Sequence, residues 1–157
     1  MSANEPDYLR SMKKHFFSLI LVVVQFGAIA FYLLSGPIFS EQLPFLILQF
    51  LAFAIAVWGI IAMGITKVSV FPTPAENAQL AVKGPYRVIR HPMYTGIVLM
   101  AGAMLAGYYT HLRLVVFLIL CANQIIKLLW EEKMMIEKIP AYKEYMARTW
   151  RLLPFVF

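Results

Sequence analysis

The sequence predicts an all-α protein, a polytopic membrane helix bundle of about four transmembrane helices followed by a cytosolic C-terminal helix. Three observations carry this. The 157 residues are 61% hydrophobic and only 14% charged, more apolar side chain than a soluble core of that size can bury without exposing large patches. The apolar residues gather in runs that approach or reach the ~20 residues a helix needs to cross hydrocarbon. The basic residues, finally, fall almost entirely on one side of those runs, which is the bias that orients membrane proteins.

The first run, Phe16 to Leu34, is interrupted only by Ser18 and Gln25. Arg10, Lys13 and Lys14 precede it, as they would in a signal peptide, but the run is long for such a segment and no small-x-small site follows, so it reads as a retained span over 16–34. A second span covers 44–66, with Pro44 in the first helical turn, where a missing N–H costs nothing. The stretch "KVSVFPTPAENAQLAVKGPYR" breaks the pattern. Pro72 and Pro74 exclude a continuous helix, Gly84-Pro85 reads as a turn, and Glu76 or Asn77 is a possible start for a short interfacial helix. Its length suits a functional or surface-lying loop.

The third run, Tyr94 to Tyr109, is short and rich in small residues; Pro92 biases His91 away from helix and can itself begin the element. The fourth, Leu112 to Trp130, follows almost at once, which predicts a tight antiparallel hairpin with close backbone approach at Gly102, Ala103, Ala106 and Gly107. No breaker occurs before Pro140, so this helix continues through "WEEKMMIEK". Pro140 suits the first turn of a last helix, "PAYKEYMARTW", with Tyr142 and Met146 on one face. The whole chain, 1–157, reads as one domain.

Lys67, Lys83, Arg87 and Arg90 lie between the second and third runs, and Lys127, Lys133, Lys138, Lys143, Arg148 and Arg151 close the chain. Arg113 alone is near the opposite face, so both termini are expected in the cytoplasm, in a cell inner membrane or the endoplasmic reticulum. Topology and attraction to anionic membrane lipids account for the net charge of +6, which gives no argument for a nucleic acid partner. Cys121 is the single cysteine, and His15, His91 and His111 are widely spaced with no metal-ligand pattern, so no disulfide framework and no metal are expected.

Under this topology the linker, the start of the third helix, the end of the fourth and the last helix converge on the cytoplasmic face. Arg90 and His91 stand beside the positive end of the third helix and form an anion pocket with its free N–H groups, with Arg87 as a further donor. The plainer alternative, snorkelling to lipid headgroups, suits Lys83 and Arg87 taken alone. Lys127 can reach Glu131 across one turn, and Asn123 and Gln124 serve either helix contacts or a ligand. Glu131-Glu132 lies opposite the basic cluster, a combination that suits a zwitterionic ligand.

"GPYRVIRHPMYTG", followed by "WEEKMM", "AYKEYMAR" and "LLP", resembles the isoprenylcysteine carboxyl methyltransferase and phospholipid methyltransferase superfamily of integral membrane enzymes, over Val82 to Pro154. The resemblance implies S-adenosylmethionine bound at the cytoplasmic end of the last two membrane helices, beneath the cytosolic segment that follows, and methyl transfer to a lipophilic acceptor entering from the bilayer. On this sequence its elements are Gly84, Pro85, Tyr86 and Arg87; Arg90, His91, Pro92, Tyr94 and Gly96; Glu131 and Glu132; and Tyr142, Tyr145 and Arg148. It implies cofactor contacts from Tyr86, Arg90, His91, Tyr94, Gly96, Glu131, Glu132, Tyr142 and Tyr145, and catalytic roles for Arg87, Arg148 and Glu132. Two departures leave the path of the last segment open: Ile139-Pro140-Ala141 where the family often has Phe-Gly, and Thr149-Trp150 where it often has Val-Pro.

The residue types suit that chemistry on their own. Arg and His donors can hold the cofactor carboxylate, a glutamate can accept from its ammonium or ribose diol, and Tyr rings can face adenine or sulfonium. Methyl transfer is an in-line displacement governed by positioning and exclusion of water. A carboxylate or thiolate acceptor needs no general base and is oriented by Arg148 or Arg87, whereas an amine gives its proton to a glutamate. Isoprenylated cysteine, a phospholipid amine, a quinone-like lipid and a small hydrophobic thiol all satisfy this reading. An NADPH-dependent membrane sterol or enone reductase shares an RHPxY-like element, but typically with Asn before the tyrosine and an acidic residue after it, where this chain has Met93 and Thr95-Gly96. A non-catalytic scaffold of the same fold has no reason to keep costly polar groups at an apolar boundary.

Overall fold

The computed structural model describes residues 7–65, 68–72 and 80–157. Helix α1 (Asp7–Leu34) starts nine residues before the apolar run, since nothing between Asp7 and Phe16 breaks a helix, and its apolar part runs from Met12. Helix α2 (Leu43–Met63) carries Pro44 in its first turn as expected, but ends three residues early at Gly64, whose φ of +91° glycine adopts without steric cost. The helix start expected at Glu76 or Asn77 lies outside the described residues. A 3₁₀ turn over Gly84–Arg87, opened by Gly84 at φ +56°, fulfils the Gly-Pro turn signal.

Helix α3 (Pro92–Gly107) begins on Pro92 with His91 as a non-helical N-cap. Three residues later Thr110 caps α4 (His111–Lys138), its hydroxyl accepting from the Arg113 N–H at 3.1 Å. Helix α5 (Tyr142–Arg148) has only seven residues, and Pro140 sits in the turn before it instead of in its first turn. Among the described residues the chain is all-helical, with one isolated parallel bridge between Ile89 and Trp150.

Alternating direction brings α1 antiparallel to α4 along its length. At one end Tyr32 donates to the Arg113 carbonyl at 2.8 Å; midway Gln124 donates to Gln25 at 3.2 Å; at the other end Phe17 and Trp130 rings lie 4.9 Å apart. Helix α2 packs most extensively on α3, through a seam of small residues. A Cβ on Gly96 would stand 2.7 Å from the Ala56 Cβ and 2.8 Å from the Ala52 carbonyl oxygen, and Gly59 lies against Pro92 and Met93. The close approach expected across the α3–α4 hairpin is therefore made by α3 with α2. Ala106 is exposed, Gly102 has ordinary room beside Phe117, and Gly107 meets Ser40.

Helices α1, α2 and α4 are long and apolar enough to cross a membrane. Helix α3, with 16 residues, is about 24 Å long against the ~30 Å of a hydrocarbon core. Phe50, Phe53, Trp58 and Ile61 on α2 face outward and exposed, a surface that suits lipid, not water. A small core of Ala28, Tyr32, Ala101, Met104, Leu105 and Leu120 fills the end of the bundle away from α5. The near end, where α3 starts and α4 finishes, is built from polar groups.

Candidate functional site

The chain arrives at α3 through an extended segment, and the residues after α5 lie down beside it. Trp150 donates to the Val88 carbonyl at 2.9 Å, Arg90 to Trp150 at 2.7 Å and His91 to Arg151 at 3.1 Å, all through backbone N–H groups. The Thr95 hydroxyl extends this strap one turn into α3, at 2.8 Å from the Leu152 carbonyl oxygen. Pro92 prevents the segment from continuing as helix, so its N–H and C=O groups are free to be paired in this way.

Beneath the strap lies a buried ionic knot. Glu132, near the end of α4, accepts from Arg90 Nε at 2.7 Å and Arg151 Nε at 3.0 Å, with His91 Nε2 at 3.4 Å. Arg90 Nη1 also donates to the carbonyls of Met146, at 3.1 Å, and Thr149. One guanidinium thus fastens α4, α5 and the strap to the start of α3. Where the sequence suggested an anion pocket at Arg90 and His91, the structure sets the protein's own Glu132 carboxylate.

Glu131 faces differently. Its Oε2 accepts from the Tyr94 hydroxyl at 2.7 Å and lies 3.9 Å from His91 Nδ1, and its side chain keeps 27% exposure. The Tyr94 ring stacks on His91, centroids 5.3 Å apart, and lies under the Lys127 ammonium, also at 5.3 Å. The ring is thereby a packed part of the core. Lys127 does not pair with Glu131 across one turn; it turns to α1 and donates to Gln25 Oε1 at 2.7 Å. Asn123 likewise reaches α1, at the Leu21 carbonyl, 3.2 Å away.

Three tyrosines close the near side. Tyr86 is buried in the 3₁₀ turn, and its hydroxyl has no partner among the described residues. Burial first, then the charge of Glu131 and the neighbouring Tyr145, hold its phenol well above the usual range. Burial and the two carboxylates, Glu132 and Glu131, raise buried Tyr142 in the same sense. Tyr145 donates to the Tyr86 carbonyl at 2.8 Å; burial pushes it up to about 12 although Arg90 pulls the other way. All three are neutral hydrogen-bond donors at physiological pH.

Tyr86 and Tyr145 border a cleft of about 450 Å³, with Arg87, Glu144, Arg148 and Thr149 on its rim, within the ~300–1,000 Å³ typical of small-molecule sites. Arg87 and Arg148 are exposed, and Arg148 pairs with Glu144 one turn away. Gly96 is not brought here: it faces α2, beside an apolar cavity of about 190 Å³ within the bundle. The expected residues therefore divide into a buried knot of Arg90, His91 and Glu132, a Glu131–Tyr94 pair at its edge, Tyr142 behind, and Tyr86, Tyr145, Arg87 and Arg148 on the cleft.

Sequence reasoning missed Arg151 and Thr95, the Met146 and Thr149 carbonyls, and Glu144 and Gln25 as partners. For Glu144 the four-residue spacing to Arg148 was a signal; for the rest, contacts spanning 19 to 102 residues leave no local pattern. Among the described residues no group of three or more His, Cys, Asp or Glu is arranged to hold a metal ion. An open cleft of mixed polarity, with charges of both signs on its rim and neutral phenol donors at its border, can hold a small zwitterion.

The model of one protein family, described as phospholipid methyltransferase, matches residues 45–141. The match takes in α2, which lies outside the Val82–Pro154 region that carries the sequence resemblance, and stops before α5. No curated protein matches the chain.

Proposed function

The chain belongs to the phospholipid methyltransferase family, and from that premise we propose that it is an integral membrane enzyme that transfers a methyl group from S-adenosylmethionine to a lipophilic acceptor drawn from the bilayer. In this reading α3 also crosses the membrane, beside α1, α2 and α4, and α5 and the strap lie in the cytosol together with both termini. Residues 1–157 form one methyltransferase domain, with 82–154 as its cofactor-binding half. The observation that supports it best is the two-signed, tyrosine-bordered cleft beside α5, the helix that the Arg90–Glu132 pair fastens to the ends of α3 and α4.

The residues present fit the cofactor. The Tyr86 hydroxyl, buried and without a partner among the described residues, is available to a ligand atom, and Glu131 keeps enough exposure to accept from an ammonium or a ribose diol. Arg87 and Arg148 stand where a carboxylate, of cofactor or acceptor, can be held by charge-assisted hydrogen bonds. When bound, S-adenosylmethionine supplies a methyl group activated by its sulfonium. Arg90, His91 and Glu132 act as positioning residues, because their polar atoms are spent on one another and on the strap. For an amine acceptor the proton falls to Glu131, the carboxylate with exposure, and not to Glu132. The family match gives the reductase reading no support.

The test is transfer of radiolabelled methyl groups by the purified protein into a total lipid and small-molecule extract, with mass spectrometry of the labelled species and NADPH binding measured alongside. Tyr86→Phe and Glu131→Gln are each expected to weaken S-adenosylmethionine binding about tenfold or more while leaving the helix content unchanged. An unlabelled extract, or two variants that bind like the wild type, would refute the proposal.

A further inference from the structure

At the end of the bundle remote from the cleft, Arg113 is 1% exposed in the first turn of α4. Its Nη2 donates to the Met104 carbonyl at 3.2 Å, and its guanidinium lies over the rings of Tyr32, at 4.7 Å, and Tyr108, at 5.4 Å. Nε and Nη1 are buried and have no hydrogen-bond partner among the described residues. Nη1 stands against Gly36, and the hydroxyl of neighbouring Ser35 is also buried and unpartnered. Glu41, the acidic residue of this loop, is exposed and makes no ion pair with Arg113.

A guanidinium does not shed its charge, so this cation is buried as a cation. Aromatic faces offset part of the lost hydration, but the in-plane N–H groups of Nε and Nη1 remain idle, and idle charged donors at the edge of an apolar bundle are costly. An oxyanion would satisfy them. The surroundings indicate its source: Tyr108 and Tyr109, 45% and 55% exposed, form an adjacent aromatic pair at the end of α3, the residue type that marks the headgroup level of a bilayer. The first turn of α4, 28 residues long, opens at the same point with its positive end.

We propose that Arg113 is the base of a second ligand site, one for the phosphodiester oxygens of an anionic lipid headgroup in the leaflet opposite the candidate active site. Tyr108 is its cover: the ring lies on the guanidinium and is itself nearly half exposed, so a change of its side-chain rotamer opens Arg113 to the lipid phosphates. This site is independent of the methyl-transfer reading, since none of its residues borders the cleft.

The test uses the full chain in an uncharged detergent, with short-chain phosphatidylglycerol titrated against the thermal midpoint and bound lipid counted by native mass spectrometry. Inorganic phosphate forms a parallel arm. Wild-type protein is expected to bind phosphatidylglycerol, Arg113→Gln to bind it at least about tenfold more weakly, and Tyr108→Leu, which uncovers the same arginine, to bind it more tightly than the wild type. A response to the lipid alone assigns the headgroup; an equal response to phosphate assigns a free oxyanion on the same donors. The inference is overturned if neither ligand binds, or if Arg113→Gln binds as the wild type does. Should Arg113→Gln fail to fold, a Tyr108→Leu protein with unaltered affinity overturns it equally.

Discussion

Glu132→Gln tests the knot that holds the candidate site together. The Arg90 and Glu132 side chains are 6% and 4% exposed and meet at 2.7 Å, and breaking a buried pair by removing one partner costs about 3–5 kcal/mol. Glutamine keeps an acceptor for Arg90 Nε, which brings the expectation to the lower end, but its amide then takes the place of Oε2 and opposes Arg151. Arg151, 31% exposed, adds at most ~1 kcal/mol because solvent screens it. A loss of about 3 kcal/mol multiplies the population with the strap open roughly a hundredfold. The loss is local, because α1–α4 and α2–α3 packing does not pass through Glu132. Limited trypsin digestion in detergent, read at Lys143, Arg148 and Arg151, is expected to speed up by that factor while helix content by circular dichroism holds. Glu131→Gln is the control, since Glu131 meets only Tyr94 and His91 among the hydrogen-bonding and ionic partners described. If Glu132→Gln is cut no faster than the wild type, the knot does not fasten the strap and the positioning role assigned to Arg90 and Glu132 is wrong.

Gly96→Val is expected to destabilise the bundle by about 1–3 kcal/mol through overpacking, because its Cβ would meet Ala56 and the Ala52 carbonyl; equilibrium unfolding in mixed micelles measures this, and an undiminished stability would return Gly96 to a ligand-binding role. Gln25→Leu strands the Lys127 ammonium and should cost about 3 kcal/mol, whereas Lys127→Met leaves Gln25 with its Gln124 donor and should be nearly neutral; equal effects in the same unfolding assay would contradict this. The phenols of Tyr86, Tyr142 and Tyr145 all ionise above their unfolded value of 10. The folded state therefore retains protons that the unfolded state releases, so stability is full below pH 10 and declines as pH rises through about 12. Phenolate absorbance in folded and denatured protein, followed together against pH, checks the sign.

Elements were legible in the sequence where the deciding forces are local. Long apolar runs gave α1, α2 and α4; Pro92 gave the start of α3; and a stretch free of breakers carried α4 to Lys138. The neighbourhood of Arg90, His91, Glu131 and Glu132 was also legible, because a helix start and a helix end on one side of an antiparallel pair must be near each other. Partner choice was not. A glycine announces a close approach without saying to which helix, so Gly96 read as a motif residue and Gly102 as the contact, when the seam is Gly96 on Ala52 and Ala56. Lys127 had a carboxylate four residues away yet reaches Gln25, because the α1–α4 interface offers an acceptor in a dry place. The departure at Thr149-Trp150 left the tail untraceable; there the main chain makes the contacts, Thr149 accepting from Arg90 and Trp150 bridging Ile89, so side-chain identity said little.

The ionic knot is a hub with unequal spokes, and that inequality governs what the protein can tolerate. Two guanidiniums and a histidine ring converge on a single acid, so a chain that loses the cation at position 151 retains two of the ties, and Arg90 keeps its grip on the carbonyls beyond α5. A change at position 132 cuts every spoke together and leaves positive charge marooned out of water. Substitutions should therefore be absorbed readily around the rim of this cluster and punished at its centre, although Arg151 and Glu132 look equally polar in the sequence.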